Sequence, residues 1–290
     1  MSDPSDNLIG RWNDFGIFAG LVGALTLLTL ESLALPKKHY LFLGATFLLA
    51  VGFLVLVDVP EAWFLFGATS FATLVFALAR RFFVSDDAAR VRWQGALSVV
   101  GLVVSLFFLQ AGGGITAQLQ QNLGINVFDA RPSFQSTLGV LTQVYKEQPV
   151  LGSGPGTFAS AWLLYRPADI VQTPFWNITF NTGSGSILSG VATGGSAVAF
   201  GWAVFIVLLL YVIVRSLFVA STTNPQSYFL LSMTALGTLY LLAAQSIYAT
   251  GQTLVLLFFL FIGLFIASLG DTPLTRGVSV SFLKTPRTGF

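Results

Sequence analysis

The chain reads as an all-α, polytopic bundle of about seven transmembrane helices with one large external loop that contains an amphipathic helix. Three observations give that class. Only 9% of the 290 residues are charged, against roughly 25% in soluble domains. The hydrophobic fraction is 54%, with 28 Phe, and the mean hydropathy is +0.79. The apolar residues are gathered into long runs separated by short polar breaks. Too little charge is present to cover a soluble globule, which excludes an ordinary cytosolic enzyme, a disordered protein and a nucleic-acid binder. The pI near 9 rests on a net charge of +2 and marks no basic patch. With no Cys, disulfides and thiolate-bound metals are excluded.

Crossing a hydrocarbon core of about 30 Å takes about 20 helical residues. Runs near 16–35, 40–57, 61–79, 95–110, 192–214, 228–249 and 253–269 meet or approach that length. Pro36-Lys37-Lys38-His39 separates the first two, and Asp58 to Glu61 the next pair. The stretch from Arg80 to Arg92 precedes the fourth, and Asn224-Pro225-Gln226 the sixth. Ala249-Thr250-Gly251-Gln252 is short enough to force a tight hairpin between the last two. The chain thus divides into a four-span region 1–110, an external loop 111–190, a three-span region 191–270 and a tail 271–290.

Lys and Arg concentrate in cytoplasmic loops. Lys37 and Lys38, the Arg80–Arg92 stretch, Arg215, and then Arg276, Lys284 and Arg287 fall on alternate connections. The pattern predicts a multi-pass protein of the cytoplasmic membrane with a cytoplasmic C-terminus and with 1–15 and 111–190 outside. Arg11, Arg131, Lys146 and Arg166 are then the only basic side chains on the outer side.

Within 111–190, Phe134, Leu138, Leu141 and Val144/Tyr145 recur at helical spacing and predict an amphipathic helix from Pro132 to Gln148. Pro132 suits its first turn, Asp129 its cap, and Pro149 ends it. Arg131 at the start of that helix is open to two readings. One is an anion shared between the guanidinium and free helix N–H groups; the other is an Arg reaching lipid head-group phosphates. In Leu151-Gly152-Ser153-Gly154-Pro155-Gly156-Thr157-Phe158, alternate Gly residues suit either an anion cradle of N–H groups or a tight turn between helices. No metal-ligand pattern is present.

These stretches resemble a known signature. Arg131-Pro132-Ser133-Phe134, followed by Pro149-Val150-Leu151-Gly152-Ser153-Gly154-Pro155-Gly156-Thr157-Phe158, is similar to the loop motif of the O-antigen ligase and O-antigen polymerase superfamily. Gly10-Arg11-Trp12-Asn13-Asp14 resembles the family stretch leading into a membrane span, and Thr193-Gly194 the pair that opens a later one. The echoes stand in family order and cover most of the chain. Members have more spans before the loop, so the chain resembles the C-terminal portion of such a protein and is expected to be a shortened reading frame.

The resemblance implies transfer of a glycan from a polyprenyl-diphosphate carrier to an acceptor hydroxyl of a lipid, glycan or protein, with no cofactor and no metal. What the site must supply is cations for the departing diphosphate and orientation of the acceptor. On that basis Arg131, Arg166 and Asp169 are the candidate catalytic residues. Arg11, Gly152, Gly154, Gly156, Asn181 and Ser184 are the candidate substrate-binding residues. Arg166, beside Trp162 and Tyr165, reads equally as an interfacial anchor. The polar run Asn181 to Ser186 reads as a sugar-binding stretch or as the bend into the fifth span.

One departure stands out. Many members carry a His-Asn pair about ten residues before Thr-Gly, and here Gly183-Ser184 occupies that place. The single His, His39, falls on the cytoplasmic side. Asp169, Glu147 and Asp129 are the carboxylates that would substitute as base, each with the plainer reading of a solvated loop residue or cap. Glu31, inside the first span, is expected to snorkel or to pair with Lys37-Lys38. The reading from a different class is a non-catalytic membrane protein, either a degenerate or truncated family member or, less favoured, a transporter. A transporter is expected to show interrupted spans in a repeated pair.

Overall fold

The computed structural model describes residues 8–83, 95–125, 130–167, 170, 176–220 and 225–270. The described residues form helices and no strand. In chain order these are α1 (Trp12–Ser32), α2 (Lys37–Val57), α3 (Pro60–Phe83), α4 (Ala96–Ala111), α5 (Gly113–Asn122), α6 (Phe134–Glu147), α7 (Phe158–Tyr165), α8 (Ser186–Ala220), α9 (Pro225–Ile247) and α10 (Gln252–Leu269). Six are long and apolar enough to cross a membrane, and α4 with α5 makes a seventh if that pair, bent by 81°, is one span. The chain has the helices of a multi-pass membrane protein.

α1 is the central helix. In its most apolar window 61% of residues are buried inside the protein, against 11% for α8 and 17% for α10. It is apolar all round, as a helix enclosed by others must be, and it packs against α2, α3, α4 and α9. At Gly20 the backbone lies so close to Tyr240 that any side chain would meet the phenol, whose hydroxyl donates to the Ile17 carbonyl (2.8 Å). Small residues at such crossings let membrane helices approach.

The spans alternate so that two sets of ends form. The start of α1, the α2–α3 turn, the α9–α10 turn and α5 to α7 gather at one end. His39, at the first turn of α2, lies at the other end. There Glu31 corrects an expectation. Its carboxylate takes the Ser98 N–H (2.8 Å) and Ser98 hydroxyl (2.6 Å), capping α4, and has no lysine partner among the described residues. The free N–H groups of a helix start are a stronger partner for a part-buried carboxylate than a solvated ammonium.

α6 begins two residues later than expected. Ser133, not Asp129, is its cap, accepting the Ser136 N–H (3.0 Å); Asp129 lies outside the described residues. Its inward stripe is turned in its first half: Thr137 and Val140 are buried whereas Phe134 and Leu138 are exposed, while Val144 is buried and Leu141 packs against the core as expected. The sequence carries apolar residues on both faces, and a second small core chooses between them. That core joins Val140 and Val144 to Phe158, Ala161 and Trp162 of α7 and to Ala192 of α8.

Candidate functional site

The glycine motif and the Thr-Gly motif meet each other. α8 is broken at Gly195 (φ 63°), a backbone conformation that suits Gly. The segment 149–154 fills the break with four backbone hydrogen bonds. Ser153 N–H donates to the Ala192 carbonyl (3.2 Å) and Gly154 N–H to that of Thr193 (2.9 Å). In return Ser196 N–H donates to Pro149 (2.9 Å) and Ala197 N–H to Val150 (3.3 Å). A Cβ on Gly152 would lie 2.6 Å from the Ala192 carbonyl and from the Gly195 nitrogen. The N–H groups of Gly152, Ser153 and Gly154 are thus bound to carbonyls of the chain, so they do not form the anion cradle that the spacing allowed. The motif is a backbone bracket, and the fifth span proper starts beyond it.

The other two motifs converge on the α9–α10 turn. Arg11, just before α1, donates from its guanidinium to the Ala249 carbonyl. The same guanidinium lies 5.4 Å from the centre of the Tyr248 ring, within the range of a cation–π contact. Arg131, ahead of the α6 cap, lies at the same 5.4 Å from that ring. Each cation has a carboxylate. Asp14, in the first turn of α1, approaches the Arg11 Nε (3.7 Å) and accepts the Arg11 backbone N–H (3.0 Å) and the Gly251 N–H (2.8 Å). Glu61, in the first turn of α3, accepts from Arg131 through Oε1 (2.7 Å). Its Oε2 is buried with no hydrogen-bond partner among the described residues. The Arg11 side chain is 47% exposed and that of Arg131 31%, so both remain within reach of a ligand.

The start of α8 borders this cluster. Ser186 N–H donates to the Tyr248 carbonyl (3.3 Å), and the Thr250 N–H donates to the Ser186 hydroxyl (3.1 Å). Ser184 N–H donates to Thr137 Oγ1 (3.0 Å), which ties the bend to α6. Asn181 and Gly156 are exposed. Arg166 donates to the Trp176 carbonyl and has no contact with Arg11 or Arg131 among the described residues. Asp169 lies outside the described residues. Glu147 accepts from the Tyr165 hydroxyl, which pushes the phenol's pKa up. Lys146 sits exposed in the last turn of α6, where a cation suits the helix dipole.

Next to Glu61, Asp58 closes α2 with a left-handed backbone (φ 51°) and accepts from Trp63 Nε1 (3.2 Å). Burial raises its pKa, and the hydrogen bonds from Trp63 and the Thr116 hydroxyl work against that rise.

Of the predicted residues, Arg11 and Arg131 are therefore brought together. Glu61, Asp14 and Tyr248 were not foreseen as site residues. The readable signal for the first two was scarcity: with 12 acids in the chain, a carboxylate in the first turn of a span on the predicted outer side is rare enough to mark. Comparison with protein-family models gave no match, and none of the curated proteins searched matched the chain.

Proposed function

We propose that the chain is a membrane glycosyltransferase of the O-antigen ligase and polymerase type. It transfers a glycan from a polyprenyl-diphosphate carrier to an acceptor hydroxyl at the outer face. The observation that carries this reading is the approach of Arg11 and Arg131, 120 positions apart in the chain, to one Tyr248 ring. Two guanidiniums so held suit a diphosphate, since each pairs with phosphate oxygens through several N–H donors. In the reaction the bond between the anomeric carbon and the phosphate oxygen breaks, and a bond to the acceptor oxygen forms. The diphosphate leaves with the electron pair, stabilised by the cations, and the acceptor proton passes to a base or to water. The basic loops of the sequence put this end of the bundle outside the cytoplasm.

The test is glycan transfer from a lipid-diphosphate donor by the purified chain. Arg131→Ala is expected to abolish release of polyprenyl diphosphate while the protein still inserts and folds; full activity in that variant overturns the assignment. One observation favours a second reading, a donor-binding protein without transfer. The only imidazole, His39, belongs to the opposite end of the bundle. Binding of the donor with no turnover in the wild-type chain decides for that reading.

A further inference from the structure

We propose that Glu61 is a specificity-determining residue of this site: it pairs with Arg131 and yields only to a head group carrying the charge of a diphosphate. The inference rests on the diphosphate reading above. Its starting point is that the cluster is electrically balanced, with two guanidiniums and two carboxylates. An arriving anion must therefore take a cation away from a carboxylate already there.

The two carboxylates are not equally replaceable. Asp14 has a side chain only 1% exposed and is fixed by two backbone N–H donors, one of them from Gly251 across the α9–α10 turn. Releasing it would leave those donors and a buried charge unpaired. Glu61 holds Arg131 through a single oxygen, and its other oxygen is buried without a donor among the described residues. A carboxylate so poorly satisfied gains when it turns toward solvent. Arg131 does not depend on Glu61 alone for its place, because the Tyr248 ring also holds it.

The competitor that matters is the membrane itself. An Arg at a bilayer surface stands among phosphodiester head groups, each with one negative charge. Such a head group replaces one single charge with another and gains little from displacing Glu61. A diphosphate brings at least two charges and reaches both Arg11 and Arg131. Glu61 thus works by exclusion, making the wrong partner unprofitable rather than the right one tighter.

The experiment uses the full chain in detergent micelles with farnesyl diphosphate, farnesyl methyl phosphate (a diester with one negative charge) and a short-chain phosphatidylglycerol, read by calorimetry. Wild type is expected to bind the diphosphate about tenfold or more tighter than either single-charge lipid. Glu61→Gln keeps an acceptor for Arg131 but removes the charge. It is expected to tighten the two single-charge lipids by about tenfold and the diphosphate by less, so the ratio collapses. A ratio that stays within about twofold of wild type overturns the proposal, as does a wild-type chain that binds all three lipids alike. Glu61→Ala repeats the measurement should the Gln variant fold poorly. If wild type binds no diphosphate, the donor reading falls and the role of Glu61 with it. If Arg131→Ala loses the diphosphate while Glu61→Gln keeps the wild-type ratio, only the role of Glu61 falls.

Discussion

Gly195→Ala strikes the bracket between α8 and the 149–154 segment in two ways. Holding an L-residue at φ 63°, ψ −157°, a region essentially confined to Gly, costs about 1–3 kcal/mol. The added Cβ would also run into the Val150 carbonyl and the Gly152 nitrogen, so the segment must move. Moving it breaks the bonds from Ser196 to Pro149 and from Ala197 to Val150, at about 1 kcal/mol net each. The total is about 3–5 kcal/mol, or roughly 5–8 °C in unfolding temperature for a chain of this size. Gly152→Ala meets backbone from the other side and is expected to cost as much. Gly156→Ala is the control: it has φ 74° but nothing within 4 Å of the new Cβ, so only the backbone cost of about 1–2 kcal/mol remains. The assay is thermal unfolding of the purified protein followed by Trp fluorescence, to which Trp162 contributes from the core shared with Ala192. Equal shifts for all three variants would refute the bracket. So would a Gly195→Ala protein of unchanged stability that has lost diphosphate binding, since the motif would then act as an anion cradle.

Three further outcomes follow from single contacts. Glu31→Ala leaves the buried Ser98 N–H and hydroxyl without their carboxylate, and is expected to lower stability by about 2 kcal/mol in the same melt, with Glu31→Gln near half that. Trp162 is fully buried and its Nε1–H has no partner among the described residues; Trp162→Phe removes an unsatisfied donor, so its loss in the melt should stay under about 1 kcal/mol, and a loss near the 3–5 kcal/mol of an ordinary core truncation would reject that account. Asp58 titrates above its ordinary value of 3.8 because it is buried. A raised carboxyl pKa means that the folded state holds the proton longer, so this stability is full below about 3.8 and is lost as pH rises through the folded value. Asp58→Asn keeps an acceptor for Trp63 and should flatten that descent in a pH series of melting temperatures; an unchanged slope rejects it.

The spans were legible because length and apolarity alone specify them. Each expected run falls on a helix, and the short break 249–252 is the hairpin it was read to be. α5 was not legible: Gln118, Gln120 and Gln121 give no apolar period, and the helix is anchored by tertiary contacts, the Gln120 amide donating to the Leu56 carbonyl (2.8 Å). The first half of the α6 face, Phe134 and Leu138, was misread for a related reason. Two apolar stripes compete in its sequence, and Thr137 goes inward because its hydroxyl receives the Ser184 N–H across the bend. A polar residue at the centre of a buried face is invisible to a count of apolar positions.

The site shows where single-sequence reading stops. Arg11 and Arg131 were found by residue type, because few cations remain once the basic loops are set aside. Their partners were not and, apart from Asp14 three residues from Arg11, those partners lie far away along the chain: Arg131 to Glu61 spans 70 residues, and Arg11 to Ala249 spans 238. Nothing local encodes such pairings. They arise because α1, α3 and the α9–α10 turn present their polar ends to the same side of the bundle. A buried span can carry charge cheaply only at its ends, where helix N–H groups and water remain available. The four charged groups of the cluster therefore occupy the first turns of two spans, the residue before one of them, and the approach to a surface helix. That location follows from the energetics of the bilayer; Asp14 meets Arg11 within one helix start, whereas the meeting of Glu61 with Arg131 follows from packing alone.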